Sequence, residues 1–237
     1  MVPVRPTARS AGPKAEPVLV LSPHAALTGA PTAGVRIFDR CPPVHTVLLG
    51  RCQIRMHGRD VTSFDAIAIP ASVRHRVKLE DAYACVAYLD PRRHRFEDVE
   101  RLADRWRRFV PSRDDLRTLL DDARASPERQ VDPRLLRALD ALELEGATVA
   151  EAASKVELSV SRLTHLSTAT LGAPPRTWRA WFKLRRAISE ALSGSLTLTQ
   201  AAHRAGFADS AHLTRTCKQL TGVRPAQMMP RTVHVEP

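Results

Sequence analysis

From Pro17 to about Asp90 the apolar residues come in short runs: Val18–Leu21, Val35–Phe38, Val44–Leu49, Ile67–Ile69 and Ala82–Leu89. Clusters of Gly, Pro and Asp at Gly29–Gly34, Cys41–Pro43 and His57–Asp60 break them. Short strands punctuated in this way predict a small β-sandwich or barrel. Beyond Asp90-Pro91 the period changes. Phe96, Val99, Leu102, Ala103 and Trp106 recur at helical spacing with charges between them, and Asp114–Ala125 repeats this with Leu116, Leu119 and Leu120. The polar stretch RASPERQVD (124–132) reads as a linker, and everything after it reads as helix. A strand-rich front and a helical back predict two domains.

The helical back contains an internal repeat. LSVSRLTHLSTATLGAPP (158–175) aligns with ADSAHLTRTCKQLTGVRP (208–225) at an offset of fifty residues. Leu163 then matches Leu213, Thr164 matches Thr214, Gly172 matches Gly222, Pro175 matches Pro225 and, upstream, Ala152 matches Ala202. In the second copy Thr197 is a helix cap and Gly206 a left-handed stop. Phe207 is an apolar pin after that stop, Asp209 or Ser210 caps the next helix, and Gly222 ends it. In the first copy Thr148 and Ser159 are the caps, and Glu157 stands in the turn where a glycine would be expected. Two short helices on a tight turn form a helix-turn-helix, here twice. PPRTWRAWFKLRRAISEAL (174–192) joins them as one helix of about five turns, enough to hold the units roughly one DNA turn (~34 Å) apart.

Charge sharpens this picture. The chain of 237 residues carries a net charge of +11. Between Ser159 and Arg224 stand ten lysines and arginines against two acids, so the excess sits in the repeat region and points to a polyanion. No apolar run is long enough to span a bilayer. The first sixteen residues read as a loose tail rather than a secretory signal, and a cytoplasmic protein is expected. Cys41, Cys52, Cys85 and Cys217 lack CxxC spacing, which argues against a zinc ribbon and a disulfide scaffold. There is no GxSxG, P-loop, GxGxxG or HExxH, so no enzyme is indicated.

GFADSAHLTRTCKQLTGVRP and LSVSRLTHLSTATLGAPPRTWRAWFKLRRA resemble the two units and linker helix of the AraC/XylS family of bacterial transcription regulators. The resemblance covers about 100 residues, from Val131 to Arg231. Ser167 and Cys217 stand where that family usually has aromatics. It implies a sequence-specific regulator, activator or repressor, that inserts recognition helices 159–170 and 209–220 into successive major grooves. Ser161, Thr164 and His165 match base-reading positions of the first unit, and Ser210, Ala211, His212 and Arg215 those of the second. Arg162, Arg179, Arg185, Arg186 and Lys218 are the candidate phosphate or mixed contacts. Double-stranded operator DNA is the expected partner, with RNA polymerase if the protein activates.

Family members often carry a cupin-like barrel in front, binding a small effector or dimerising. AIAIPASVRHRVKL (66–79) resembles a late cupin strand pair, with His75 the one candidate effector contact. The cupin HxH pattern is missing and His45, His57, His75 and His94 are isolated, so no metal and no cofactor is expected. Cys41, Cys52 and Cys85 offer a thiol sensor or plain apolar filling. The fold class expected is α+β: a small cupin-like β-barrel over 17–95, a helical connector and linker over 96–130, and an all-α double helix-turn-helix over 131–231. Leu102, Trp106, Leu116 and Leu120 either dimerise the protein or cover the barrel. The competing reading is a cupin-type enzyme fused to a DNA-binding module.

Overall fold

The computed structural model describes residues 18–21, 25–31, 36–56, 59–79, 83–107, 113–127, 129–194, 196–228 and 232–235. The predicted tail over 1–16 lies outside them, as does His57. The front half is one sheet of β1 (Val18–Leu21), β2 (Ala25–Pro31), β3 (Arg36–Arg40), β4 (His45–Met56), β5 (Arg59–Ile69), β6 (His75–Leu79) and β7 (Tyr83–Leu89). The central strand β4 pairs with β5 along one edge. Along the other edge it pairs with β7 over His45–Leu49 and with β6 over Cys52–Met56. The two strands of AIAIPASVRHRVKL therefore lie on opposite sides of β4 rather than pairing with each other. β2 runs through the Gly29–Pro31 stretch read as a break, hydrogen-bonded to β1 and β7.

The sheet is open, running β3-β6-β4-β7-β2-β1 and ending on β8 (Thr232–Val235), and not a closed barrel. Both its faces are covered instead. Val47, Leu49, Cys85, Ala87 and Leu89 pack under helices α1 (Phe96–Trp106) and α2 (Arg113–Arg124). The alternate residues Leu48, Ile54, Val86 and Tyr88 face the helical half. Successive strand residues point to opposite faces, so a strand covered on both sides reads as a continuous apolar run. That is why VHTVLL and ACVAYL show no alternation. Leu102, Trp106, Leu119 and Leu120 are at most 4 % exposed and pack beneath the sheet, while the Leu116 side chain lies outside those described.

The helical half comprises α3 (Pro133–Leu144), α4 (Val149–Lys155), α5 (Val160–Leu171), α6 (Pro175–Leu192), α7 (Leu198–Arg204), α8 (Ser210–Thr221) and α9 (Pro225–Met228). A last strand, β8 (Thr232–Val235), returns to the sheet and pairs in parallel with β1, in a stretch expected to be helical. The stretch read as a linker is held at Arg129, whose backbone N–H donates to the Arg93 carbonyl at 3.1 Å. Among the described residues no helix is long and apolar enough to cross a membrane.

Candidate nucleic-acid interface

Each helix-turn-helix is built by local rules. In α4 the Thr148 hydroxyl accepts from the Glu151 N–H while the Glu151 carboxylate accepts from the Thr148 N–H, and Thr197 and Gln200 repeat this box at α7. Ser159 caps α5 and Asp209 caps α8, and Gly172 and Gly222 close them in the left-handed region. The two turns are superimposable in their hydrogen bonds: Leu158 N–H donates to Ala153, and Phe207 N–H to Ala202. Glu157 takes the left-handed conformation (φ 56°) that Gly206 takes in the second unit (φ 81°). The first helices and turns are thus related by 49 residues and the second helices by 50, with one extra residue before Asp209. Ala152 corresponds to Ala201, not to Ala202.

Leu163 and Leu213 are fully buried and fix which face of α5 and α8 points inward. The opposite face carries the side chains expected to read bases. Ser161, His165, Ala211, His212 and Arg215 are exposed, and Thr164 and Ser210 are half-buried. His212 is not a free rotor: its ring stands edge-on to Phe207, centroids 5.1 Å apart and planes at 88°. Asp209 accepts the His212 N–H at 2.5 Å, and this bond holds its carboxyl below the usual range, so the cap stays ionised. Ser167 and Cys217, at the aromatic positions, are buried. Ser167 donates to the Ala173 carbonyl at 2.6 Å and Cys217 lies 3.5 Å from the Met228 sulfur.

The candidate phosphate contacts divide into two groups. Arg162 and Lys218 are exposed on α5 and α8. Those of α6 also serve the fold. Arg179 Nε donates to the Ala147 carbonyl at 2.9 Å and Arg186 Nη2 to the Glu143 carbonyl at 2.8 Å. Lys183 Nζ donates to the Gly206 carbonyl at 2.6 Å, bracing the second turn. Arg185 is turned inward against Glu143 at 3.2 Å and is only 26 % exposed. Its guanidinium is engaged in this half-buried ion pair.

Sequence reasoning missed a set of buried cations between the two halves. Arg92, in the turn after β7, enters the helical half. It lies 2.7 Å from Asp90 and 3.0 Å from Glu143, with its guanidinium over the Phe182 ring at 5.1 Å and the Trp178 ring at 5.9 Å. Burial opposes its charge, but Asp90 and Glu143 outweigh that and raise its pKa. Arg40, 1 % exposed, donates Nε to His75 Nε2 at 2.7 Å and Nη1 to the Tyr88 hydroxyl at 2.9 Å. His75 therefore carries its proton on Nδ1, which donates to the Val73 carbonyl at 2.8 Å. Tyr88 in turn meets Trp181 of α6, centroids 5.6 Å apart. Nothing in the spacing of DPRRH or FDR separates Arg92 and Arg40 from the other cations among 36 lysines and arginines.

Of the front-half cysteines, Cys52 and Cys85 are placed as apolar filling. Cys52 and Cys85 are fully buried, and burial pushes the Cys85 thiol up to about 12. Burial also raises the half-buried Cys41, which donates to the Ser72 carbonyl. A reactive thiolate needs the opposite shift. His45, His75 and His94 are buried, and no three His, Cys, Asp or Glu among the described residues converge on a metal-sized point.

Residues 152–231 match the helix-turn-helix domain family. No curated protein matches the chain in sequence. In solved structures the fold resembles ToxT from Vibrio cholerae strain SCE256 with an unsaturated fatty acid bound. That match has 10% identity and a TM-score of 0.53, covering 89% of this chain and 97% of that one. A second ToxT structure, from strain O395 and bound to (E)-4-(8-methylnaphthalen-1-yl)but-3-enoic acid, matches at 11% identity and TM-score 0.53, covering 86% and 97%.

Proposed function

We propose that this chain, a DNA-binding transcription regulator with an AraC/XylS-type helix-turn-helix domain at residues 152–231, reads DNA by laying α5 and α8 in successive major grooves. The single observation that carries this reading is the pair of matched, capped helices whose exposed faces bear Ser161, Thr164, His165 and Ser210, Ala211, His212, Arg215. Free N–H groups at the helix starts favour phosphate, and the side chains beyond them reach base edges. Arg215 has the geometry to bond a guanine through two nitrogens, and Arg162 and Lys218 to hold phosphate. Replacing Arg215 by alanine should cost about 1–3 kcal/mol and relax preference at one base position. A uniform loss across all sequences, read by competition binding, would remove Arg215 from the base-reading set.

The effector reading follows from Arg40. Among the described residues its Nη2 is buried without a hydrogen-bond partner, and its other nitrogens donate to His75 and Tyr88, not to a carboxylate. A buried guanidinium lacking a carboxylate is costly and suits an incoming one. The ToxT structures above hold carboxylic acids, and this chain is proposed to take a small organic acid at Arg40 and His75, on the seam between sheet and reader. Titration with a series of carboxylic acids should shift DNA affinity in wild type, while the matching alcohols leave it unchanged. Equal responses to acid and alcohol would contradict the Arg40 assignment. The chain's role is recognition, not catalysis.

A further inference from the structure

In the proposed reading α5 and α8 present their N-terminal halves to DNA; their C-terminal ends both reach the front half. At the end of α5, Arg129 Nη2 donates to the Thr170 carbonyl at 2.6 Å while its Nη1 donates to the Pro91 carbonyl at 3.0 Å. One guanidinium thus joins the first recognition helix to the turn that leaves β7. Two residues on, Gly172 sits so close to the sheet that a Cβ there would lie 3.3 Å from the Ala71 carbonyl oxygen. At the end of α8, the Cys41 N–H donates to the Gln219 carbonyl at 3.2 Å, and α8 packs against β3. Pro91, Ala71 and Cys41 all belong to connections of one sheet.

Without these docks, the two reading heads are related mainly through α6. That helix of 18 residues is about 27 Å long, and long helices curve gently rather than run straight, so α6 alone contacts each head only along one side. Each carbonyl at a helix C-terminus also needs a partner, so the docks replace water bonds at positions where the helix itself supplies none.

We infer that the sheet half sets the distance and tilt between the two reading heads, and so fixes the half-site spacing the protein accepts, with Arg129 the positioning residue at the first head. This rests on the reading of α5 and α8 as the DNA-reading helices. Inserting one base pair moves a half-site by about 3.4 Å and turns it by roughly 34°. A rigid pair of heads cannot follow that displacement, whereas a pair joined through α6 alone can.

The test uses the full chain on a set of duplexes in which the selected half-sites are kept and the spacing varied by one and two base pairs. Wild type should lose roughly tenfold or more in affinity per added or removed base pair. Arg129→Met removes both carbonyl bonds. Arg129→Lys keeps the charge but cannot span both carbonyls, so a general loss of electrostatic attraction is separated from loss of positioning. Both variants should keep the base preference within each half-site and lose less than about threefold per base pair of altered spacing. Circular dichroism confirms folding, and if Arg129→Met unfolds, Arg129→Lys decides. Spacing profiles as steep as wild type in a folded variant would overturn the inference. A wild-type protein with no two-part site at all would instead overturn the DNA-reading mode on which it rests.

Discussion

Arg92→Ala is expected to destabilise the protein by about 3–5 kcal/mol, more than any substitution on the DNA-facing side of the reader. The guanidinium is 8 % exposed and bracketed by Asp90, which is 5 % exposed, and Glu143, 25 % exposed. Removing it leaves two carboxylates with little water, and among the described residues Glu143 retains Arg185 as its ion-pair partner. The contacts with Phe182 and Trp178 are lost as well, each a cation over an aromatic face. Arg92→Lys should recover only part of the loss, because an ammonium cannot fork between Asp90 and Glu143. Denaturant unfolding measures both variants. A loss below 1 kcal/mol for the alanine variant would mean that the seam is not held by this ion network. Because Arg92 joins the turn after β7 to α3 and α6, the same variant should separate unfolding of the sheet from that of the helical half into two transitions.

Acidification should remove about 3 kcal/mol of stability between pH 6.5 and 4 through His45 alone. Burial lowers this imidazole to about 4, and the His94 carbonyl only partly offsets that. The folded-state value lies below the unfolded one, so the unfolded chain binds the proton first. The contribution is complete above pH 6.5 and disappears as the pH falls through 4. The structural cause is plain: His45 Nδ1 accepts the Ala71 N–H at 3.1 Å, and the protonated ring has no lone pair for it. His45→Asn retains an acceptor at the same reach and should flatten the pH dependence in this window. An unchanged slope in the variant would assign the acid sensitivity to other groups. Ala71 also faces Gly172, so the same acid step is expected to loosen the dock of the first recognition helix.

The reader was legible because its signals are local. Caps at Thr148, Ser159, Thr197 and Asp209 and stops at Gly172, Gly206 and Gly222 act within four residues of themselves, and the structure places helix ends beside them. The offset of the first helices is not legible in the sequence because Ala152 and Ala153 correspond to Ala201 and Ala202, and runs of identical small residues do not fix a register. The front half was less legible because strand pairing is not local. Val47 and Leu48 are equally apolar yet face different partners, and only the fold says which. Four-residue TVHV is too short to announce a strand that depends on β1, more than two hundred residues away. Arg40, Arg92 and Arg129 could not be told from solvated cations, since burial and the carbonyls or carboxylates they meet come from distant segments.

Two heads on one chain are proposed to read one two-part site. Selection of a random duplex library by the full-length protein near physiological salt tests it most directly. Recovery of two half-motifs about 10 bp apart is the predicted result. Binding that is blind to sequence and falls steeply with salt would contradict it, leaving a basic surface without a reading function.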